Sequence, residues 1–185
     1  MRVVKNCAGA DDIISNLIMF CNEDGKNTSF EISAGGEIED SIILQEENRY
    51  PYGYGLIVLS SKIDSGLIGR RDVVFLGLSN YSKEAITALD ADNIRYFTMK
   101  KIMDISLGEA AGLAMESAIS FDRLCLSINL DILDKTFSPD GIVGGMTTRE
   151  LIYCIQRIKM MKNLRTVEIC GENKEIIAKL VKEIA

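Results

Sequence analysis

Short apolar runs, each about the length of a strand and apolar on both faces, recur along this chain between stretches of helical spacing. Residues 56–59, 73–78, 124–130 and 166–169 carry these runs. A strand half-exposed to water alternates in polarity, whereas one covered on both faces does not, so these four read as interior strands of a parallel sheet. The intervening stretches have the marks of helices. Residues 82–90 open on Ser82 with Glu84 close behind, 106–120 are rich in Ala, Leu, Met and Glu, and 11–21 place apolar residues at helical spacing after an Asp cap. Residues 148–161 and 174–184 complete the set. Strand and helix in alternation predict an α/β fold: three layers, α/β/α, around a mostly parallel sheet.

A chain of 185 residues buries one full core and is short for two. No repeat, low-complexity tract or Pro/Ser-rich linker divides it, so the expectation is a single domain over residues 1–185. The polar stretches 21–28 and 45–54 read as connections. Within the second, Tyr50, Tyr52 and Tyr54 alternate. Such a cluster suits a pocket wall, an interface or packing beneath a loop. The pairs Lys100-Lys101 and Glu46-Glu47 are too short for interaction tails and read as solvated surface.

Charge excludes one class of partner. The net charge is −6, and no cluster of lysine and arginine builds the basic field that a phosphate backbone requires. No apolar run approaches the roughly 20 residues that cross a bilayer, and the first residues lack the apolar segment of a signal peptide. The expectations are no nucleic acid, no membrane and a cytoplasmic location. The 5 cysteines are scattered and never form C-x-x-C, which argues against a disulfide framework or zinc knot. The chain has no histidine, the commonest metal ligand and the best proton carrier near neutral pH. Chemistry here would have to run on carboxylates, lysines, tyrosines or thiols.

One stretch is more specific. Residues 124–134, Leu-Cys-Leu-Ser-Ile-Asn-Leu-Asp-Ile-Leu-Asp, lead through Ser138-Pro-Asp-Gly141 to Gly144-Gly-Met-Thr-Thr-Arg-Glu150. The series resembles the S-x-D-x-D-x-x-D-P and G-G-L-T-x-R-E signature of the ureohydrolase family (arginase, agmatinase, formiminoglutamase). Residues 56–64 are similar to that family's strand ending in D-A-H-x-D, Gly35-Gly-Glu-Ile38 is a fainter likeness of G-G-D-H, and Thr166-Val-Glu-Ile169 looks like V-E-x-N-P. The likeness is strongest from Asp122 onward. The family loop that carries a further catalytic histidine is missing after Asp64.

The resemblance implies an arginase-like fold, a homo-oligomer and a pair of manganese ions held mainly by carboxylates and histidines. It places the six ligand positions at Ile38, Ser60, Lys62, Asp64, Asn129 and Asp131, of which only Asp64 and Asp131 are acidic. Hard divalent cations prefer oxygen ligands, and a lysine puts positive charge where they would sit. Without the metals, no hydroxide forms at neutral pH by their polarising effect. The expectation is therefore a degenerate member with no metal cofactor and no ureohydrolase activity, retained for a binding, regulatory or structural role. No residue is assigned a catalytic role.

Two other functions stay open. One is a hydrolase of C–N bonds in a guanidino or amidino compound, with a single-metal or metal-free centre drawing on Asp64, Asp131 and Glu168. The other is a binding module in which Glu168, at the position of the family's guanidinium-binding glutamate, pairs with a small cationic ligand. Glu168 also reads as a structural or solvated acid. For Lys62 there are two arrangements: its ammonium replaces the metals by pairing with Asp64 and Asp131, or it points to water. Asn129 reads as a strand-end amide that satisfies nearby backbone groups, and Thr147 with Glu150 has the spacing of a capping box.

Overall fold

The computed structural model describes residues 31–35, 54–171 and 173–184. Six strands, β1 (Glu31–Gly35), β2 (Gly55–Leu59), β3 (Val73–Leu78), β4 (Arg95–Thr98), β5 (Leu124–Asn129) and β6 (Leu164–Cys170), form one sheet in the order β1-β6-β5-β2-β3-β4. Every neighbouring pair is parallel. Among the described residues there are five helices, α1 (Lys83–Ala91), α2 (Met99–Ile105), α3 (Leu107–Ala118) and α4 (Thr148–Ile158) between strands and α5 (Lys174–Ile184) after β6.

Both faces of the sheet are covered, which is why its strands read as continuous apolar runs. Ile57, Leu59, Leu124, Leu126, Ile128, Val167 and Ile169 point to one face and pack against buried residues of α2 to α5, among them Ile102, Ala111, Ile155 and Leu180. Leu56, Val58, Val73 and Phe75 point the other way, against Leu89 of α1, Ile94 and Leu67. Burying each such aliphatic side chain stabilises the fold by about 1.5–3 kcal/mol before the ordering cost is counted.

Strand β3 changes face near its end. Its register with β4 shifts between Leu76 and Leu78 at Gly77, whose φ of 101° is open to glycine and strained for other residues. The extra residue reverses the in-out parity, so Leu78 joins Phe75 rather than Leu76.

The four strands and the helices at 82–90, 106–120, 148–161 and 174–184 expected from the sequence are present, with ends moved by a few residues. Strand β4 and helix α2 are additions. Only Phe97 is fully buried in β4, and α2 has just two turns, so neither carries a long periodic signal. Strand β1, beside β6, is a third addition. Ser106 joins α2 to α3 at φ 84° and accepts the Glu109 N–H at 3.3 Å, an N-cap achieved in a strained backbone conformation. The expected helix 11–21, the connection 21–28 and most of 45–54, including Tyr50, Tyr52 and the Glu46-Glu47 pair, lie outside the described residues. Lys100 and Lys101 are exposed. No helix among the described residues is long and apolar enough to cross a membrane.

Candidate functional site at the carboxyl ends of two central strands

The strand order locates the site. From β2 the chain moves outward through β3 to β4, then returns to place β5 on the other side of β2 and continues to β6. Connections after β2 and β5 therefore leave in opposite directions, which opens a crevice at the carboxyl ends of these two strands, where open parallel sheets bind ligands. The last paired residues are Leu59 and Ile128. Ser60, Ser61 and Lys62 follow the first, and Asn129 and Asp131 follow the second.

Asp131 is the centre of this arrangement. It is buried, and its carboxylate accepts the Ser60 hydroxyl at 3.1 and 3.3 Å and the Ser61 backbone N–H at 3.0 Å. The Ser60 hydroxyl oxygen in turn accepts the Lys62 N–H at 3.1 Å. Across the crevice, the Asn129 side-chain oxygen accepts the N–H of Asp131 at 3.1 Å and caps the 3-10 turn Leu130–Ile132. Each hydrogen bond to a charged acceptor contributes on the order of 1.5–3 kcal/mol, so dipoles compensate the buried charge without a cation.

The pairing of Lys62 with Asp64 and Asp131 is overturned. Lys62 is exposed, and no ion pair joins it to Asp131 among the described residues; the carboxylate is satisfied from Ser60 and Ser61. A solvated ammonium costs nothing to desolvate, whereas burying it beside a carboxylate would. Asp64 is half-buried and accepts the Gly66 N–H at 2.9 Å, capping the short turn Ser65–Leu67. Ile38 lies outside the described residues.

Glu168 is buried, not solvated. It lies opposite Ser127 in the β5–β6 register, and its Oε2 accepts the Ser127 hydroxyl at 3.1 Å. Among the described residues, Asp64 accepts from Gly66, Asp131 from Ser60 and Ser61, and Glu168 from Ser127. Sequence reading passed over Ser61 and Ser127 as partners. Ser127 was within reach of it, because β5 and β6 were both expected and period-2 alternation puts Ser127 and Asn129 on one face.

The loop after Asp131 is built around Asp134. Its carboxylate accepts the Thr136 N–H at 2.9 Å, the Thr136 hydroxyl at 2.8 Å and the Gly144 N–H at 2.8 Å. The Thr136 N–H first, then its hydroxyl and the Gly144 N–H, hold the Asp134 carboxyl below the ordinary aspartate range. Gly144 has φ 77°, which the turn requires. The loop hands over to α4 through the expected capping box: Thr147 Oγ1 accepts the Glu150 N–H at 3.2 Å, and Glu150 accepts the Thr147 N–H at 2.7 Å.

The donors among the described residues do not fit a manganese pair. Two divalent ions need several carboxylates or imidazoles converging on shared positions. Among the described residues, no group of three or more Cys, Asp or Glu side chains is placed to share an ion. Of the five expected ligand positions that are described, Asp64 and Asp131 are carboxylates, and the other three present a hydroxyl, an exposed ammonium and an amide whose oxygen already accepts a backbone N–H.

Known proteins share this framework. The family model of the arginase family matches residues 45–173. Human arginase-1 is 27% identical over an alignment of 118 residues that covers 59% of this chain and 35% of that enzyme. Rat arginase-1 is 26% identical over an alignment of 115 residues that covers 57% of this chain and 34% of that enzyme. The chain thus spans about a third of the length of the curated relatives it matches. Among solved structures, arginase from Bacillus subtilis superposes with a TM-score of 0.69 at 16% identity, covering 84% of this chain and 71% of that one. Entamoeba histolytica arginase in complex with L-ornithine gives 0.68 at 15% identity, with coverage of 84% and 68%. Bacillus subtilis formimidoylglutamase gives 0.60 at 17% identity, with coverage of 71% and 53%. The structural likenesses carry the fold, the family model takes in well over half of the residues, and the chain belongs to the arginase family.

Proposed function

We propose that this chain is an arginase-family protein without ureohydrolase activity, which acts by binding, regulation or structural support. The observation that carries the reading is the state of Asp131. Of the six ligand positions implied by the family signature it is one of two that remain acidic, and its carboxylate is already bonded to the Ser60 hydroxyl and the Ser61 N–H. The other, Asp64, accepts the Gly66 N–H. Hydrolysis of a guanidino group requires a strong nucleophile at neutral pH, and with no histidine in the sequence, carboxylates bonded in this way are weak candidates to generate one.

The experiment is a paired measurement on the purified protein. After incubation with manganese and desalting, metal content is determined by elemental analysis, and urea release from L-arginine and agmatine is followed with manganese present. The expected outcome is no stoichiometric manganese and urea release at the level of the uncatalysed control. Near-stoichiometric metal together with urea release would restore the hydrolase reading and overturn this one.

A further inference from the structure

We infer that the hydrogen-bonded cluster of Ser60, Ser61, Asn129 and Asp131 is a clamp that closes the crevice between β2 and β5 and makes this part of the fold independent of metal. The inference rests on the reading above only in taking the crevice to be free of manganese.

Beyond Leu59 and Ile128 the β2–β5 ladder stops, and the two chains leave in opposite directions. Something must hold these ends together. A buried carboxylate left uncompensated would instead drive them apart toward water. Here Asp131, 4% exposed, reaches across from the 3-10 turn after β5 to the two consecutive residues that follow β2, taking a hydroxyl from Ser60 and a backbone N–H from Ser61. Both sides are braced locally. The Lys62 N–H fixes the Ser60 hydroxyl oxygen, and the Asn129 amide oxygen fixes the backbone of Asp131 itself. The Ser61 carbonyl accepts the Ser79 and Asn80 N–H groups, both at 2.9 Å, which ties the end of β3 into the same assembly. The geometry binds three strand ends with neutral donors around one buried charge.

The test is a double-mutant cycle on the full chain. Melting temperatures of wild type, Ser60→Ala, Asp131→Asn and the double variant are measured in chelator and again in millimolar manganese chloride. For wild type the two buffers are expected to give the same melting temperature. Ser60→Ala is expected to lower it on the order of 5 °C in either buffer, the scale for losing a hydrogen bond to a buried charged acceptor in a chain of this size. In the Asp131→Asn background the same change is expected to cost much less, because the charged acceptor is gone. If Asp131→Asn does not fold, Ser60→Thr serves in its place: it keeps the hydroxyl and is expected to hold most of the stability that Ser60→Ala loses.

Additive effects of the two substitutions, or Ser60→Thr as damaging as Ser60→Ala, would overturn the clamp. A rise in wild-type melting temperature with manganese would overturn its metal independence. Failure of the cycle without urea release would remove the clamp alone and leave the proposed function standing. Manganese-dependent urea release with the coupling intact would do the reverse.

Discussion

A single carboxylate organises the candidate site at the scale of residues, and one hydroxyl beside it is out of place. Ser61 donates its backbone N–H to Asp131, while its side chain, fully buried, has an Oγ with no hydrogen-bond partner. An orphaned buried hydroxyl costs about 1–3 kcal/mol, and alanine would keep the useful N–H while removing the group that lost its water. Ser61→Ala is therefore expected to raise the free energy of unfolding by about 1 kcal/mol in urea titration. A lower midpoint would show that the hydroxyl is satisfied in solution and that this account of it is wrong. The resemblance of residues 56–64 to the family's D-A-H-x-D strand is what singled out Ser60, Lys62 and Asp64 in the sequence. Which of them would meet Asp131 was not, because the partner lies 71 residues away and only the β2–β5 pairing brings it there.

Helix caps and loops are the elements where local sequence was most informative. Thr147 and Glu150 needed only a three-residue spacing to be read, and the capping box they form is closed on both sides. Asp134 is different, since it gathers donors from Thr136 and from Gly144, ten residues further on. Those donors depress its folded pKa, so the stability it adds is present above its unfolded pKa of about 3.9 and is lost as pH falls through the lower, folded value. Between pH ~4 and that lower value, the Gly144 amide proton should lose its hydrogen-bonded chemical shift while α4 and the sheet keep theirs. Asp134→Asn should abolish the step. A Gly144 resonance flat across that window would show that Asp134 does not hold the loop.

For the whole molecule, the two-faced burial of the sheet has a chemical consequence. Cys125 on β5 and Cys154 on α4 are free thiols sealed in opposite cores. Burial, assisted by the nearby Glu150 charge, pushes the Cys154 thiol up to about 12, and burial followed by the charge of Glu168 pushes Cys125 higher still. A thiol must be ionised and reachable to be alkylated. Iodoacetamide at mildly alkaline pH is expected to leave both unmodified in the native chain and to label both in denaturant, as read by peptide mass mapping. Labelling of Cys125 at denaturant concentrations below the global transition would mean that the sheet opens on its α1 face as a separate unit. Strand and helix periodicity is a property of neighbouring residues, so the alternating elements, the parallel sheet and the family signature were all determined by the sequence alone. The order β1-β6-β5-β2-β3-β4, the reversal of parity at Gly77 and the exposure of Lys62 were decided by the tertiary structure. Hydrogen bonding and desolvation act between groups that only the folded chain makes neighbours, and at the strand ends they favoured a serine hydroxyl over an ammonium for the buried carboxylate.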